Sequence, residues 1–143
     1  MSTSEFEQVV EAQHAALAVF VTGDPEPLKQ LFSNRDDVSV ANPFGPAVRG
    51  WAQVAETVTR AATLYRDGEA TGFELVTKYA TADVAYTVEV ERYRAKVGGA
   101  EDLAPVELRV TCIFRVEDGV WKLSHRHADP ITASRPPASV VQQ

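Results

Sequence analysis

The stretch VTCIFRVEDGVWKLSHRHAD, residues 110–129, decides the fold. At its centre, Asp118-Gly119 is a residue pair that two-residue type I′ hairpin turns prefer. On both sides of this pair, apolar and polar residues alternate with a period of two, which is typical of a half-buried strand. The sequence therefore predicts an antiparallel hairpin in which Glu117 lies opposite Val120.

Counting outward from the turn gives the register of the predicted hairpin. Four further pairs fall on one face of the sheet: Val116–Trp121, Phe114–Leu123, Cys112–His125 and Val110–His127. The other face carries mostly polar residues: Arg109, Thr111, Ile113, Arg115, Lys122, Ser124 and Arg126. Because a half-buried hairpin divides its residues in this way, we expect the face with His125 and His127 to point towards the core.

The chain before the hairpin predicts helices first and strands afterwards. Ser4 followed by Glu7 is the pattern of a capping box, and apolar residues then recur at helical spacing. Two more helices are predicted at residues 27–32 and after Gly50, the latter ending at 67–68. A short strand is expected at residues 37–42, and after Gly72 the period becomes two. This order indicates an α+β domain with helices covering one face of a curved antiparallel sheet.

Composition limits the classes of function. With 143 residues and a formal net charge of −6, the chain has the size of one domain and lacks the basic surface that nucleic acids or anionic membranes attract. The single cysteine favours a reducing, cytoplasmic location. The start of the chain shows no leader pattern, and no apolar run is long enough to span a bilayer. We expect one domain over residues 1–133 and a mobile tail over 134–143.

Several strings in this order resemble a known family. They are NPFGP at 42–46, RGW at 49–51, EDGVWKL at 117–123 and HRHAD at 125–129. The chain is similar to the SnoaL-like branch of the superfamily of nuclear transport factor 2 and ketosteroid isomerase. This resemblance implies a cone-shaped roll, in which N-terminal helices pack on a strongly curved antiparallel sheet and enclose a pocket. It also implies a homodimer, for which the sheet face with Arg109, Thr111, Ile113 and Arg115 is a candidate surface.

His125 and His127 are the candidate catalytic residues. Two residues apart on a strand, they share a face, and imidazoles exchange protons near neutral pH. A metal set of His125, His127 and Asp129 is disfavoured because no second ligand motif appears upstream. A nucleophilic Cys112 beside His125 is also disfavoured, since a buried thiol is usually inert. No cofactor or metal is expected.

The turn at residues 42–46 is expected at the mouth of the cone. In isomerase-like members an acidic residue often precedes the proline, but here that residue is Asn42, and an amide cannot abstract a proton. Other candidates for contact with a ligand are Phe44, Trp51, Tyr65 and Tyr86, whose side chains offer apolar surface or a hydroxyl group.

Four charged or titratable residues complete the candidate ligand-binding set: His14, Glu89, Arg109 and Asp129. His14 lies at the edge of the apolar stripe of the first helix. Glu89 and Glu91 alternate with Val88 and Val90, which places both carboxylates towards solvent or a partner. If the bend of the sheet reverses that face, Glu89 becomes a pocket carboxylate that Arg92 or Arg109 can pair.

Three functions fit these patterns. The first is a cofactor-independent enzyme of the isomerase, cyclase or hydrolase type, which acts on a small, largely apolar, oxygenated molecule by acid–base chemistry. The second is a module that binds such a molecule without turnover. The third is a dimeric assembly domain. The missing acid at Asn42 favours the second and third over an isomerase, and the histidine pair favours the first and second over the third.

Overall fold

The computed structural model describes residues 4–142. The first three residues of the expected domain and the last residue of the expected tail, Gln143, lie outside the described residues. Three α-helices and six strands follow one another along the chain. They are α1 (Glu5–Phe20), α2 (Glu26–Leu31), β1 (Ser39–Ala41), β2 (Val48–Arg49), α3 (Trp51–Ala62), β3 (Tyr65–Ala80), β4 (Val84–Val97), β5 (Ala104–Glu117) and β6 (Val120–Asp129). The α+β class predicted from the sequence is confirmed.

The helices begin where their capping residues predict. The backbone N–H of Glu7 donates to the Ser4 hydroxyl at 3.1 Å, which satisfies one of the free donors at the start of α1. Pro27 lies in the first turn of α2. The third helix is shorter than predicted, because Tyr65 begins β3 and Asp67-Gly68 lies within that strand. There Gly68 approaches α1 so closely that a Cβ atom would lie 2.4 Å from the Val21 carbonyl oxygen.

The six strands form one sheet in the order β2-β1-β6-β5-β4-β3. The long strands β3 to β6 pair antiparallel, as predicted, but β1 pairs with β6 in parallel, so the sheet is mixed. The hairpin turn is confirmed at Asp118 and Gly119, whose φ angles of 52° and 81° are both positive, as type I′ turns require. The helices pack on the concave face, where most of the buried apolar side chains meet.

A bulge in β6 makes the predicted hairpin register wrong beyond Leu123. Val116 lies opposite Trp121 and Phe114 opposite Leu123, as predicted, but Ser124 is an extra residue. From there the pairs are Ile113–His125, Cys112–Arg126, Thr111–His127 and Val110–Ala128. Because successive side chains alternate between faces, one extra residue exchanges the faces of all that follow. The two histidines therefore lie on the outer face, and Arg126 points inward.

The faces of β4 are also the reverse of the first expectation. Val84 and Tyr86 are exposed on the outer face, whereas Glu89 and Glu91 are buried on the inner one. This agrees with the alternative in which the bend reverses the strand. The arginines proposed as partners for Glu89 lie outside, since Arg92 pairs with Glu74 and Glu107, and Arg109 pairs with Asp129.

The end of the described chain leaves the sheet. After β6, residues 132–142 are exposed and include one turn of 3-10 helix, Pro137–Val140. The mobility of this tail stays a prediction. Among the described residues, no helix combines the length and the apolar character needed to cross a membrane.

Candidate functional site

A small cavity lies between the helices and the concave face of the sheet. Its volume is about 40 Å³, which gives room for roughly three water molecules. Its walls are mostly apolar, from Leu17, Phe20, Leu28, Phe32, Val40, Pro43, Phe44, Val58, Ala61, Leu108 and Ala128. The polar lining comes from Asn42, Tyr65 and Arg126, and Arg126 is the one charged residue among the described lining residues.

The turn after β1 lines one side of this cavity with Asn42, Pro43 and Phe44. The Asn42 side-chain oxygen accepts a hydrogen bond from the backbone N–H of Phe44 at 2.9 Å, which fixes the turn around Pro43. The Phe44 ring is 46% exposed and packs edge-on against Tyr65, with ring centroids 5.8 Å apart. We call residues 42–44 the lid.

Arg126, which lines the cavity, belongs to a buried ion pair. The guanidinium of Arg126 donates to both oxygens of Glu91, at 2.8 Å and 2.6 Å, and both side chains are buried. Burial disfavours the charged form of Arg126, but the charge and hydrogen bonds of Glu91 hold its pKa well above the ordinary value. A third N–H group of Arg126 points to the Cys112 sulfur, 3.8 Å from the guanidinium nitrogen. Three of the five guanidinium N–H groups therefore have partners, and two remain as donors.

Neighbouring hydroxyl and thiol groups stay protonated around this pair. Tyr93 donates to Glu91 at 2.7 Å. Burial, reinforced by the charge of Glu91, raises the pKa of Tyr93 well above its usual value. Burial also raises the pKa of Tyr65 to about 12 and that of Cys112 to about 11. All three groups are therefore neutral at physiological pH, and Tyr65 can act as a hydrogen-bond donor at the cavity wall.

Gln13 of α1 completes the buried polar cluster. Its side-chain nitrogen lies 3.0 Å from the Cys112 sulfur, and its side-chain oxygen is buried with no partner among the described residues. Sequence reasoning did not assign Gln13, Glu91 or Arg126 to a site. One feature of the sequence could have pointed to this cluster. If Glu89 and Glu91 of β4 face the core, two carboxylates lie on one buried face, and a cation is needed opposite them.

His125 and His127 lie away from the cavity, so the prediction that they face it is wrong. His125 Nδ1 lies 2.7 Å from the Ser39 hydroxyl. Burial, with the nearby charge of His127, lowers the pKa of His125. His127 Nε2 lies 3.0 Å from Asp129, whose other contact is a two-point hydrogen bond from Arg109. This group belongs to the outer face, and a catalytic role for either histidine stays a prediction.

The remaining candidates divide between three places. Asn42, Phe44 and Tyr65 line the cavity. Trp51 begins α3 and packs against the core without lining the cavity. Tyr86 lies on the outer face, 39% exposed, and stacks on Tyr79.

His14 and Glu89 come together, but in a separate groove between α1 and strands β3 and β4. Within residues 4–142, no three metal-ligating side chains are arranged to hold an ion.

Comparison with known proteins identifies the family. The SnoaL-like domain matches residues 7–132 of the chain. The chain belongs to this family. No curated protein matches the sequence significantly.

Solved structures agree with the SnoaL-like assignment. A ketosteroid isomerase-like protein from Erwinia carotovora atroseptica superposes with a TM-score of 0.73 and 18% identity over 92% of this chain and 100% of that one. A nuclear transport factor 2-like superfamily protein from Salmonella enterica serovar Typhimurium gives 0.72 and 16% over 95% and 99%. An uncharacterised cystatin-like-fold protein from Caulobacter vibrioides gives 0.65 and 22% over 95% and 94%. At these identities the likeness establishes the fold.

Proposed function

We propose that this SnoaL-like domain binds a small, largely apolar molecule through a neutral oxygen acceptor such as a carbonyl group. One observation carries the proposal: an apolar cavity contains a single charged lining group, the Arg126 guanidinium, already held by Glu91. The walls favour a hydrocarbon body, and Arg126 with Tyr65 supplies hydrogen-bond donors for one oxygen.

The charge balance of the cavity favours a neutral ligand over an anion. Glu91 neutralises Arg126 through both carboxylate oxygens. A ligand carboxylate would add a second negative charge beside Glu91 in a region with little water. A carbonyl oxygen carries no net charge. It can therefore accept hydrogen bonds from the remaining guanidinium N–H groups without repulsion from Glu91.

Binding is favoured over acid–base turnover at this site. Asn42 holds the position before Pro43 where a carboxylate would serve as a proton shuttle, and Tyr65 and Cys112 are neutral. The imidazoles of His125 and His127 lie on the opposite face of the sheet. The cavity wall therefore offers hydrogen-bond donors in place of a general base.

A ligand larger than a few water molecules requires the lid to move. The cavity volume of about 40 Å³ is far below the roughly 300–1,000 Å³ of typical small-molecule sites. The Phe44 ring closes the mouth against Tyr65 and is already half exposed. Outward rotation of Phe44 opens a path without breaking the Arg126–Glu91 pair.

Three probes of similar size test the proposal: cyclohexanone, methylcyclohexane and cyclohexanecarboxylate. We expect cyclohexanone to bind roughly tenfold more tightly than the other two, as one hydrogen bond to a charged donor implies. Amide NMR shifts at Ala61 and Ala128 report occupancy of the cavity. Equal affinity for all three probes, or tighter binding of the carboxylate, would overturn the proposal.

Two variants localise the binding. Ala61→Leu fills the cavity and is expected to abolish the cyclohexanone shifts, whereas Ala52→Leu makes the same change on the exposed side of α3 and leaves them intact. The double variant Arg126→Met with Glu91→Gln removes the donor without leaving an unpaired buried charge. It should bind cyclohexanone no better than methylcyclohexane.

The domain also forms a homodimer through the outer face of the sheet in this proposal. Tyr79, Tyr86 and Ile113 are exposed and lie side by side on β3, β4 and β5. Thr111 and Arg109 continue the same face on β5. Adjacent exposed apolar side chains of this kind mark interaction surfaces. Light scattering of the purified domain gives the mass that decides between monomer and dimer.

A cytoplasmic location is part of the same proposal. Its support is the free thiol of Cys112, which is buried and has no cysteine partner in the sequence. Such a thiol suits a reducing compartment.

A further inference from the structure

A groove outside the main cavity holds a pair of titratable residues that the proposed function does not use. It runs between the first half of α1 and the middle of β3 and β4, with a volume of about 280 Å³. Its lining combines apolar and charged side chains: Phe6, Glu7, Val10, Glu11, His14, Phe73, Leu75, Lys78, Thr87 and Glu89.

His14 and Glu89 form an oriented pair inside this groove. The His14 Nε2 atom lies 2.8 Å and 3.0 Å from the two oxygens of Glu89. The Glu89 side chain is almost fully buried, whereas His14 keeps about a quarter of its surface exposed. The His14 ring also stacks on Phe73, with centroids 4.0 Å apart and planes 8° from parallel. Two contacts therefore fix both the position and the plane of the imidazole.

This orientation leaves the other ring nitrogen for a ligand. In the neutral imidazole, Nε2 carries the hydrogen that Glu89 accepts, so Nδ1 carries a lone pair. None of the hydrogen bonds among residues 4–142 uses His14 Nδ1.

We propose that the groove is a second ligand site, for small aromatic alcohols of the phenol class. The phenolic hydroxyl donates to Nδ1 of His14, and the aromatic ring packs among Phe6, Val10 and Phe73. The hydroxyl meets the unused acceptor, and the planar ring matches the flat wall that the His14–Phe73 stack provides.

The second site is independent of the main cavity. The groove uses the first half of α1, at Phe6, Val10 and His14, whereas the cavity uses Leu17 and Phe20 near the end of the helix. A ligand in one place touches none of the side chains that line the other.

The test compares 4-methylphenol with 4-methylanisole, which has the same ring but no hydroxyl hydrogen. We expect 4-methylphenol to bind at least about tenfold more tightly and to shift the His14 Nδ1 resonance in long-range ¹H–¹⁵N spectra. Equal binding of the two probes would overturn the proposal, because the hydroxyl would then contribute nothing. Shifts centred on Ala61 and Ala128 would overturn it too, since they would place the probe in the main cavity.

Matched variants separate this site from other histidines and from misfolding. His14→Phe keeps the ring stack but removes Nδ1, and it should weaken 4-methylphenol binding at least about tenfold. His127→Phe removes an imidazole that is also paired with a carboxylate but lies on the open sheet face, and it should leave binding unchanged. Ala61→Leu should also leave it unchanged.

Glu89→Gln keeps the size of the carboxylate and tests the role of the tautomer. A glutamine side chain can turn either its oxygen or its NH2 group towards Nε2, so it no longer holds the hydrogen there. Part of the population then carries the hydrogen on Nδ1 and lacks the lone pair that the phenol needs. Weakened 4-methylphenol binding with an unchanged folded spectrum is therefore expected. Full binding by folded His14→Phe would contradict the proposal.

Discussion

Two arginine–carboxylate pairs each include one residue of strand β6, and they lie on opposite faces of the sheet. Inside, Arg126 contacts Glu91 through two hydrogen bonds of 2.8 Å and 2.6 Å. Outside, Arg109 contacts Asp129 through two hydrogen bonds of 3.1 Å and 2.7 Å. The side chains of the inner pair are 9% and 1% exposed, and those of the outer pair 53% and 16%. The two pairs therefore have similar hydrogen-bond geometry but differ in their exposure to solvent.

The comparison shows that environment, more than geometry, sets what an ion pair does. Water and dissolved ions screen the outer pair, so its contribution to stability is small. The inner pair has lost most of its water, and each charge depends on the other. In the proposed function, the same isolation leaves the remaining N–H groups of Arg126 for a ligand, whereas those of Arg109 compete with solvent.

The largest expected effect separates the two arginines. Arg126→Met leaves Glu91 buried without a cation, so we expect the free energy of unfolding to fall by about 3–5 kcal/mol. Arg109→Met, the matched change outside, should cost no more than about 1 kcal/mol. Urea denaturation of both variants measures the difference.

A double variant sharpens the same comparison. Arg126→Met with Glu91→Gln removes both charges and keeps an acceptor for the Tyr93 hydroxyl. Much of the lost stability should return, because no unpaired charge remains inside. If the double variant is as unstable as Arg126→Met alone, packing of the arginine chain, and not charge burial, explains the loss.

An intermediate effect is expected for association through the outer face. Tyr86→Lys places a charge in the middle of the exposed apolar row, beside Tyr79 and Ile113, and should weaken the proposed dimer at least about tenfold. Sedimentation over a range of concentrations measures the dissociation constant. The control is Glu56→Lys on the exposed side of α3, which should associate like the unaltered domain. Identical dissociation constants for the two variants would exclude this face as the interface.

The smallest expected effect concerns pH and an exposed pair. A hydrogen bond from Arg115 lowers the pKa of Asp37 from 3.8 to about 2, so the folded state favours the charged carboxylate. This stabilisation is present above about pH 4 and disappears as the pH falls through 2.

Asp37→Asn should therefore be slightly less stable than the unaltered domain at pH 6, and the difference should vanish near pH 2. Thermal unfolding between these values measures it, and added salt should reduce it. A difference that is constant with pH would show that the carboxylate charge is not its origin.

Features set by neighbours in sequence were predictable. The Asp118-Gly119 turn, the Ser4 cap and the first pairs of the hairpin depend on residues a few positions apart, and all are confirmed. The strings around Asn42 and Trp121 led to the correct family and to the correct α+β fold. Asn42, Phe44 and Tyr65 line the cavity in the structure, and their role in binding is a proposal.

Features set by distant partners were not predictable in this way. Ser124 is small and polar enough for either face, and nothing beside it in sequence marks the bulge. Burial of Glu89 and Glu91 on the inner face of β4 is unfavourable unless each carboxylate has a partner. These partners are distant in sequence: His14 lies 75 positions from Glu89, and Arg126 lies 35 positions from Glu91. Alternation shows that two faces exist, but the choice between them depends on these long-range contacts.

The parallel pairing of β1 with β6 has a consequence for synthesis of the chain. Ser39 pairs with His125, 86 positions later. Among the described residues, the β2-β1 ribbon joins the rest of the sheet through this pairing of β1 with β6. Strands β3, β4 and β5 can pair as each leaves the ribosome, but β1 must wait for almost the whole chain. During that interval Val40, which belongs to the core, lacks its neighbouring strand β6. A pause in translation after β5 should therefore lengthen the time in which the nascent domain can be captured by a chaperone.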